Sequence, residues 1–568
     1  MKLRSLFSLL AATAIALLTV AGVSLYWILA QSPLQLLQGG VKREPAAAVF
    51  VPKQSPVMLS LLVKPERLEA FAGLTAAPQN RRRSRQELED VEKSLLANTG
   101  LNYEREIRPW LGDEITLAVT SLDFDRDRSN GARPGYLLAV QAKDRELAKE
   151  FLQLSYSQQA LSGASDLTFE DYKGANLIYK RPRSAEVNTN FLASAVVADF
   201  VLFANDPRVL RDAINNVQVA DLNLKNASNY REALKTIPEP RIAIAYGNLP
   251  ALSAWIANLP IPETPETTQV LTVSLSLKSQ GLVAQTALVG VSGNESEPPA
   301  LSQPVGALAY VPANSIVTAA GTNLNQFWQQ VASGIEANSP LQQVLNRAVS
   351  RLQEPLGLDL PKDVFAWVSG EYSLAAVPNL AGGDPDWIFI AKKVPNTEAA
   401  IAHLDELAQA QGYSVGNLPL RGATTGGLPL RVTEMTAWTK LKTAPIGDRN
   451  LARLEAEVRG VHLEAGDYVI FATSVEAMSQ AITALDQPLV KSRKFQQAIA
   501  ALPKENDGYF YLDWNQSEPL IEAKFPGVRV VGFAIKPILN NLRSLTLSSE
   551  GSQEGIRRAT AYFNLGVR

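Results

Sequence analysis

Apolar and polar residues alternate along much of this chain, and where the period lengthens from two to between three and four the pattern changes from strand to helix. Leu271, Val273, Leu275 and Leu277 alternate with Thr272, Ser274 and Ser276, which predicts a strand buried on one face. Strand-like runs at Leu117 to Leu122, Tyr136 to Gln141 and Ile242 to Tyr246 alternate with amphipathic helices over 144–155 and 396–411. Connections between consecutive strands are often too short for parallel crossovers. The expected fold class is therefore α+β, with mainly antiparallel sheets and packed helices.

The first residues follow a different rule. From Leu6 to Ala30 the chain runs 25 residues without a charge, enough as a helix for about 37 Å against a hydrocarbon core of about 30 Å. Lys2 and Arg4 precede it, which keeps residues 1–5 cytoplasmic and sends the rest across, and Tyr26 and Trp27 fall at the exit interface. A cleaved signal peptide fits less well, because the run is long and Ile28 stands where cleavage after Ala30 needs a small residue. The expectation is a transmembrane anchor over 6–30, a linker over 31–45, and a periplasmic or otherwise extracytoplasmic remainder.

That remainder can be laid on itself. Val49 to Pro52 matches Leu308 to Pro312, and Gly100, Leu101, Ile107, Trp110, Glu114 and Leu117 meet Gly357, Leu358, Val364, Trp367, Glu371 and Leu374 at a constant offset of 257 residues. Asp199 to Ala204 then meets Asp467 to Ala472, each followed by a helical pattern. Tyr230, Ala233, Leu234, Ile237 and Pro238 correspond to Phe495, Ala498, Ile499, Leu502 and Pro503, and the copies close on Leu275, Leu277 and Leu545, Leu547. The expected organisation is two tandem homologous domains, 46–290 and 304–568, joined by a Gly/Ser/Asn/Glu/Pro linker over 291–303.

Composition removes several chemistries. The chain has 568 residues with 54 Lys plus Arg against 56 Asp plus Glu and no long basic tract, which argues against nucleic acid as a partner. It has no cysteine, so disulfides, thiolate metal sites and cysteine nucleophiles are absent. With two histidines, His403 and His462, any metal site is built from carboxylates and carbonyls and suits a hard cation.

Few polar constellations remain. Trp110-Leu111-Gly112-Asp113-Glu114 is echoed by Trp367-Val368-Ser369-Gly370-Glu371. Paired across a pseudo-twofold interface, Glu114 and Glu371 would share a cation or divide acid and base roles; the structural reading is that the Trp anchors a core and the Gly-Glu step leads into a strand. Asp123, Asp125 and Asp127 imitate the start of a calcium loop, but Arg128 stands where the motif needs Gly and Pro134 where it needs a bidentate Glu, so a solvated loop is expected. Arg81, Arg82, Arg83 and Arg85 form a basic cluster that Glu87, Glu89, Asp90 and Glu92 compensate, and Gly422 to Gly427 reads as a turn. Neither histidine has a Ser-Asp arrangement near it in sequence.

The Val-Pro near the start, the Trp110 to Glu114 motif, and the Asp199 to Ala204 run with its helix resemble domain-of-unknown-function family 3352, common in cyanobacteria. The resemblance implies a membrane-anchored protein in a cyanobacterial envelope or thylakoid setting, and brings no catalytic residues or cofactor. The expected function is a non-enzymatic, membrane-tethered binding or scaffolding protein with a protein partner. A carrier of lipid or another apolar ligand, or a carboxylate-dependent hydrolase using Glu114 or Glu371, are the alternatives.

Overall fold

A computed structural model describes residues 44–63, 107–161, 166–181, 192–257, 269–290, 301–332, 357–379, 382–420, 434–445, 452–518 and 542–565, apart from a few single positions, together with the short ladder 424–425 and 428–429. The predicted anchor over 6–30 and the arginine cluster at 81–85 lie outside these residues. Among the described residues no helix is long and apolar enough to cross a membrane.

The fold is α+β, built on one antiparallel sheet of 20 strands. The first half contributes β1 (Val57–Leu61), β2 (Leu111–Ser121), β3 (Gly135–Ala142), β4 (Asp166–Tyr172), β5 (Ala175–Arg181), β6 (Ala193–Val197), β7 (Phe200–Ala204), β8 (Ala243–Asn248), β9 (Val270–Lys278) and β10 (Gly281–Val289). The second contributes β11 (Val317–Gly321), β12 (Tyr372–Val377), β13 (Asp386–Lys392), β14 (Ser414–Pro419), β15 (Glu434–Pro445), β16 (Ala452–Ala465), β17 (Tyr468–Ala472), β18 (Gly508–Asp513), β19 (Ser544–Gln553) and β20 (Ile556–Asn564). Within the first half the strands pair in the order β4-β5-β6-β7-β3-β2-β1-β8-β9-β10. The second half repeats that order as β14-β15-β16-β17-β13-β12-β11-β18-β19-β20. The halves join where β10 pairs antiparallel with β20.

Helices cover both faces, and α4 (Leu249–Ala257) and α5 (Leu324–Ala332) follow β8 and β11. On one face lie α1 (Arg145–Leu161), against β4 and β6, and its counterpart α6 (Thr397–Ala410). On the other lie α2 (Pro207–Gln218) and α3 (Ser228–Thr236), with counterparts α7 (Val475–Thr483) and α8 (Arg493–Ile499). The capping residues explain where two of these begin: Asp206 accepts the Arg208 N–H ahead of Pro207 in α2, and Ser474 accepts the Ala477 N–H in α7.

Three expectations shift. Thr272 and Ser274 are as buried as Leu271, Val273 and Leu275 around them, because α3 packs over β9 and β10 and closes the face the alternation left open. Strand β2 begins at Leu111, so the Gly-Asp-Glu step is part of the strand and not a turn ahead of it. Leu545 and Leu547 hold the places of Leu271 and Val273, four residues from the alignment expected: Leu271 faces Gly247 on β8, and Leu545 faces Leu512 at the matching place on β18. Apolar alternation has period two and does not distinguish such slips.

Candidate functional site

The repeated motif resolves into two equivalent tethers. Glu114, 1% exposed, accepts N–H groups from Ala46 (2.9 Å) and Ala47 (2.8 Å), the first residues of a 3-10 turn spanning Ala46–Val49. These are the N–H groups that a helical turn cannot satisfy itself, and a carboxylate is their strongest acceptor. In the second half Glu371 accepts the Gly306 N–H (3.1 Å) at the start of the turn Gly306–Tyr310, and the Tyr468 hydroxyl (2.8 Å). Burial, then the adjoining Glu371 carboxylate, pushes the Tyr468 phenol well above its ordinary value. The Phe50–Phe200 ring pair of the first half, 5.3 Å between centroids, becomes Tyr310–Tyr468 in the second, at 5.6 Å.

The two carboxylates are not brought together. Strands β1, β8, β9, β10, β20, β19, β18 and β11 lie in hydrogen-bonding order between β2, which carries Glu114, and β12, which Glu371 immediately precedes. Each glutamate serves its own half. The tryptophans pack as anchors: Trp110 lies 5.4 Å from the Phe151 ring of α1, and the Trp367 indole N–H donates to the Asp363 carbonyl.

Asp123, Asp125 and Asp127 sit in the β2–β3 loop and turn toward their own loop. Asp123 accepts the Arg133 N–H (3.4 Å), Asp125 lies 3.6 Å from the Arg133 guanidinium, and Asp127 accepts the Ser129 N–H and hydroxyl, which lowers its pKa. Burial, then a hydrogen bond with Asp125, raises that of Asp123. Arg208 at the start of α2 stacks on Phe124, 4.8 Å from the ring centroid, and holds the loop against the helix. No group of three or more side chains able to hold a metal ion occurs among the described residues.

The structure also assembles a polar cluster that sequence spacing hid. His462 on β16 is buried, and its Nε2 lies 3.0 Å from Asp405 Oδ1 of α6, which also accepts the Trp438 indole N–H at 2.6 Å. Ser194 holds the place of His462 in the first half, since each pairs across its ladder with an equivalent phenylalanine, Phe203 or Phe471. His403 stands on the exposed side of α6, 3.6 Å from Asp363.

The halves share topology and differ at one surface. Phe169 on β4 is 70% exposed although it lies on the sheet face covered by α1, beside Leu167, which packs into the α1 cluster. On α1, Leu147 and Leu154 are exposed at 42% and 56%, one side of the helix away from the buried Ala148, Leu152 and Tyr156. Among the described residues β4 pairs only with β5, so it is an edge strand of the described sheet. In the second half the place of Phe169 is taken by Asn417, opposite Thr436 as Phe169 is opposite Ile178, and the outer side of α6 carries Ala402, His403 and Glu406. A common fold needs the common positions. The apolar surface beside α1 is an addition that the fold does not require.

A family model described as "Protein of unknown function (DUF3352)" matches residues 10–565. The chain belongs to this family. Its match spans both halves. No curated protein matches the sequence. A solved structure titled "Structure of crystal form I of TP0453" is similar at 11% identity and a TM-score of 0.22, covering 45% of this chain and 81% of that one, a likeness too slight to carry an argument.

Proposed function

We propose that this protein is a non-enzymatic binding or scaffolding protein, held at a membrane by residues 6–30 with its folded region on the extracytoplasmic side, which docks a protein partner on the α1–β4 surface of its first half. The observation that carries the reading is Phe169: a large aromatic side chain exposed at 70% on a strand with no second partner among the described residues, while Leu147 and Leu154 are exposed on α1, the helix over the same sheet face. Exposed apolar patches of this kind mark interaction surfaces in soluble domains, and an open edge offers main-chain hydrogen bonds to an extended segment. The two glutamates support the non-enzymatic reading, because each is occupied in tethering a turn and they lie far apart in the sheet.

The test is mass spectrometry, of proteins and small molecules, on the full chain purified from its native membranes in mild detergent. A stoichiometric protein partner lost from both Phe169→Asp and Leu154→Asp, with unfolding midpoints unchanged, is the expected result. A partner that both variants retain sinks the docking surface. A copurifying lipid without a protein moves the assignment to an apolar carrier, and loss of a hydrolase activity in a stably folded Glu114→Gln variant moves it to an enzyme.

A further inference from the structure

The seam between the halves is self-complementary. Strands β10 and β20 are each 9 residues long, Gln285 and Thr560 are their midpoints, and these two residues face each other. The pairing extends to both sides, four pairs to Gly281 opposite Asn564 and three to Leu288 opposite Arg557. A pseudo-twofold axis thus passes between Gln285 and Thr560, the relation that a closed homodimer places at its interface. Beyond the strand ends the Leu565 N–H donates to the Gln280 carbonyl, while the Asn564 carbonyl accepts the Arg543 N–H on the β19 side. Because the direction alternates along a strand, Ala559, Ala561 and Phe563 turn their backbone groups to the seam, and Thr560 turns its own to β19.

We infer that the seam is a homodimer interface made intramolecular, and that β10 retains the capacity to pair with β10 of a second copy of this chain. In that pairing, centred on Gln285, Leu282 meets Leu288, Val283 meets Ala287 and Ala284 meets Thr286, all residues buried in the intact seam and none charged. The same pairing of two β20 strands sets Arg557 opposite Phe563 and Arg558 opposite Tyr562, so β10 is the competent edge. Helix α3, which packs on β9 and β10, is the counterpart of α8, which packs on β19 and β20, so a second α3 fits the place that α8 holds.

The experiment uses the full chain, which has no native cysteine. Gln285 and Thr560 form a non-hydrogen-bonded pair, with Cα atoms about 4.5 Å apart, inside the range a disulfide spans. Gln285→Cys with Thr560→Cys should therefore crosslink within one chain. Ala561→Pro and, separately, Ala559→Pro remove a seam N–H from β20 and spare the β19 ladder. Each, combined with Gln285→Cys, is expected to give a dimer of twice the 61.5 kDa chain mass, with a disulfide joining the introduced thiols of the two chains. Proline variants that keep their circular dichroism but stay monomeric with that thiol free overturn the inference. If either proline variant does not fold, Gln285→Cys alone is refolded at rising protein concentration under a glutathione couple. Interchain disulfides that increase with concentration support the inference, and their absence at every concentration overturns it.

Discussion

The two tethers differ by a matched pair of residues, and that match predicts a compensating double substitution. In the first half Ala46 starts the turn and Phe200 lies beside it; in the second, Gly306 starts it and Tyr468 holds the place of Phe200. A Cβ at Gly306 meets the Tyr468 hydroxyl directly and lies 3.3 Å from Glu371 Oε2, while the glycine's backbone is not in the left-handed region, so the obstacle is space alone. Gly306→Ala should therefore cost about 1–3 kcal/mol as overpacking. Tyr468→Phe removes one hydrogen bond to a carboxylate and should cost about 1.5 kcal/mol. Together they recreate the Ala46–Phe200 arrangement, with the new methyl filling the room left by the hydroxyl, so the double variant should be more stable than the sum predicts by about 1–2 kcal/mol. The assay is chemical unfolding of all four proteins, compared at equal denaturant slope. Additivity within about 0.5 kcal/mol would refute the claim that the halves solved one packing problem in two ways.

The tether itself should be unequal between the halves. Glu114→Gln leaves one of the two turn N–H groups facing an amide N–H at the buried carboxylate site and is expected to cost about 2–3 kcal/mol, against under about 1 kcal/mol for Glu371→Gln at its more exposed site, with faster amide exchange at 46–50 as the local readout. Arg211 reaches Glu170 through two hydrogen bonds (2.9 and 2.7 Å) and holds its carboxyl below the ordinary value of 4.5. A depressed carboxyl stabilises above its unfolded value and loses that contribution as pH falls through the folded one; the stability gap between the wild type and Glu170→Gln should be constant above the ordinary value of 4.5 and close below it, and a gap that widens in acid is the contrary result. At the seam, a Cβ on Gly281 meets the Phe563 carbonyl, a backbone atom that cannot yield without moving β20. Gly281→Ala is accordingly expected to raise the reactivity of the thiol in a Gln285→Cys background and lower the unfolding midpoint, and unchanged thiol protection would count against the seam register.

The internal repeat was legible because its markers are local: Trp110 and Trp367, Glu114 and Glu371, and the run before each helix keep their spacing in the chain. The α+β class and antiparallel pairing followed from strand periodicity and short connections, both properties of neighbouring residues. The partnership of Glu114 with Ala46 and Ala47 joins residues 68 and 67 apart in sequence, and His462 meets Asp405 across 57, so no local signal announced either. Thr272 and Ser274 looked solvent-facing because burial of a second face depends on a helix supplied from elsewhere in the chain.

The amino-acid sequence by itself determined the element types, the duplication and the absence of thiol chemistry, since these rest on backbone periodicity, spacing and composition. The tertiary structure alone decided that the halves share one sheet through β10 and β20, that the repeated glutamates serve separate turns, and that Phe169 stands exposed where its counterpart is Asn417. The physical reason is that strand order, register and helix docking are set by long-range complementarity, which a period of two along one strand does not encode.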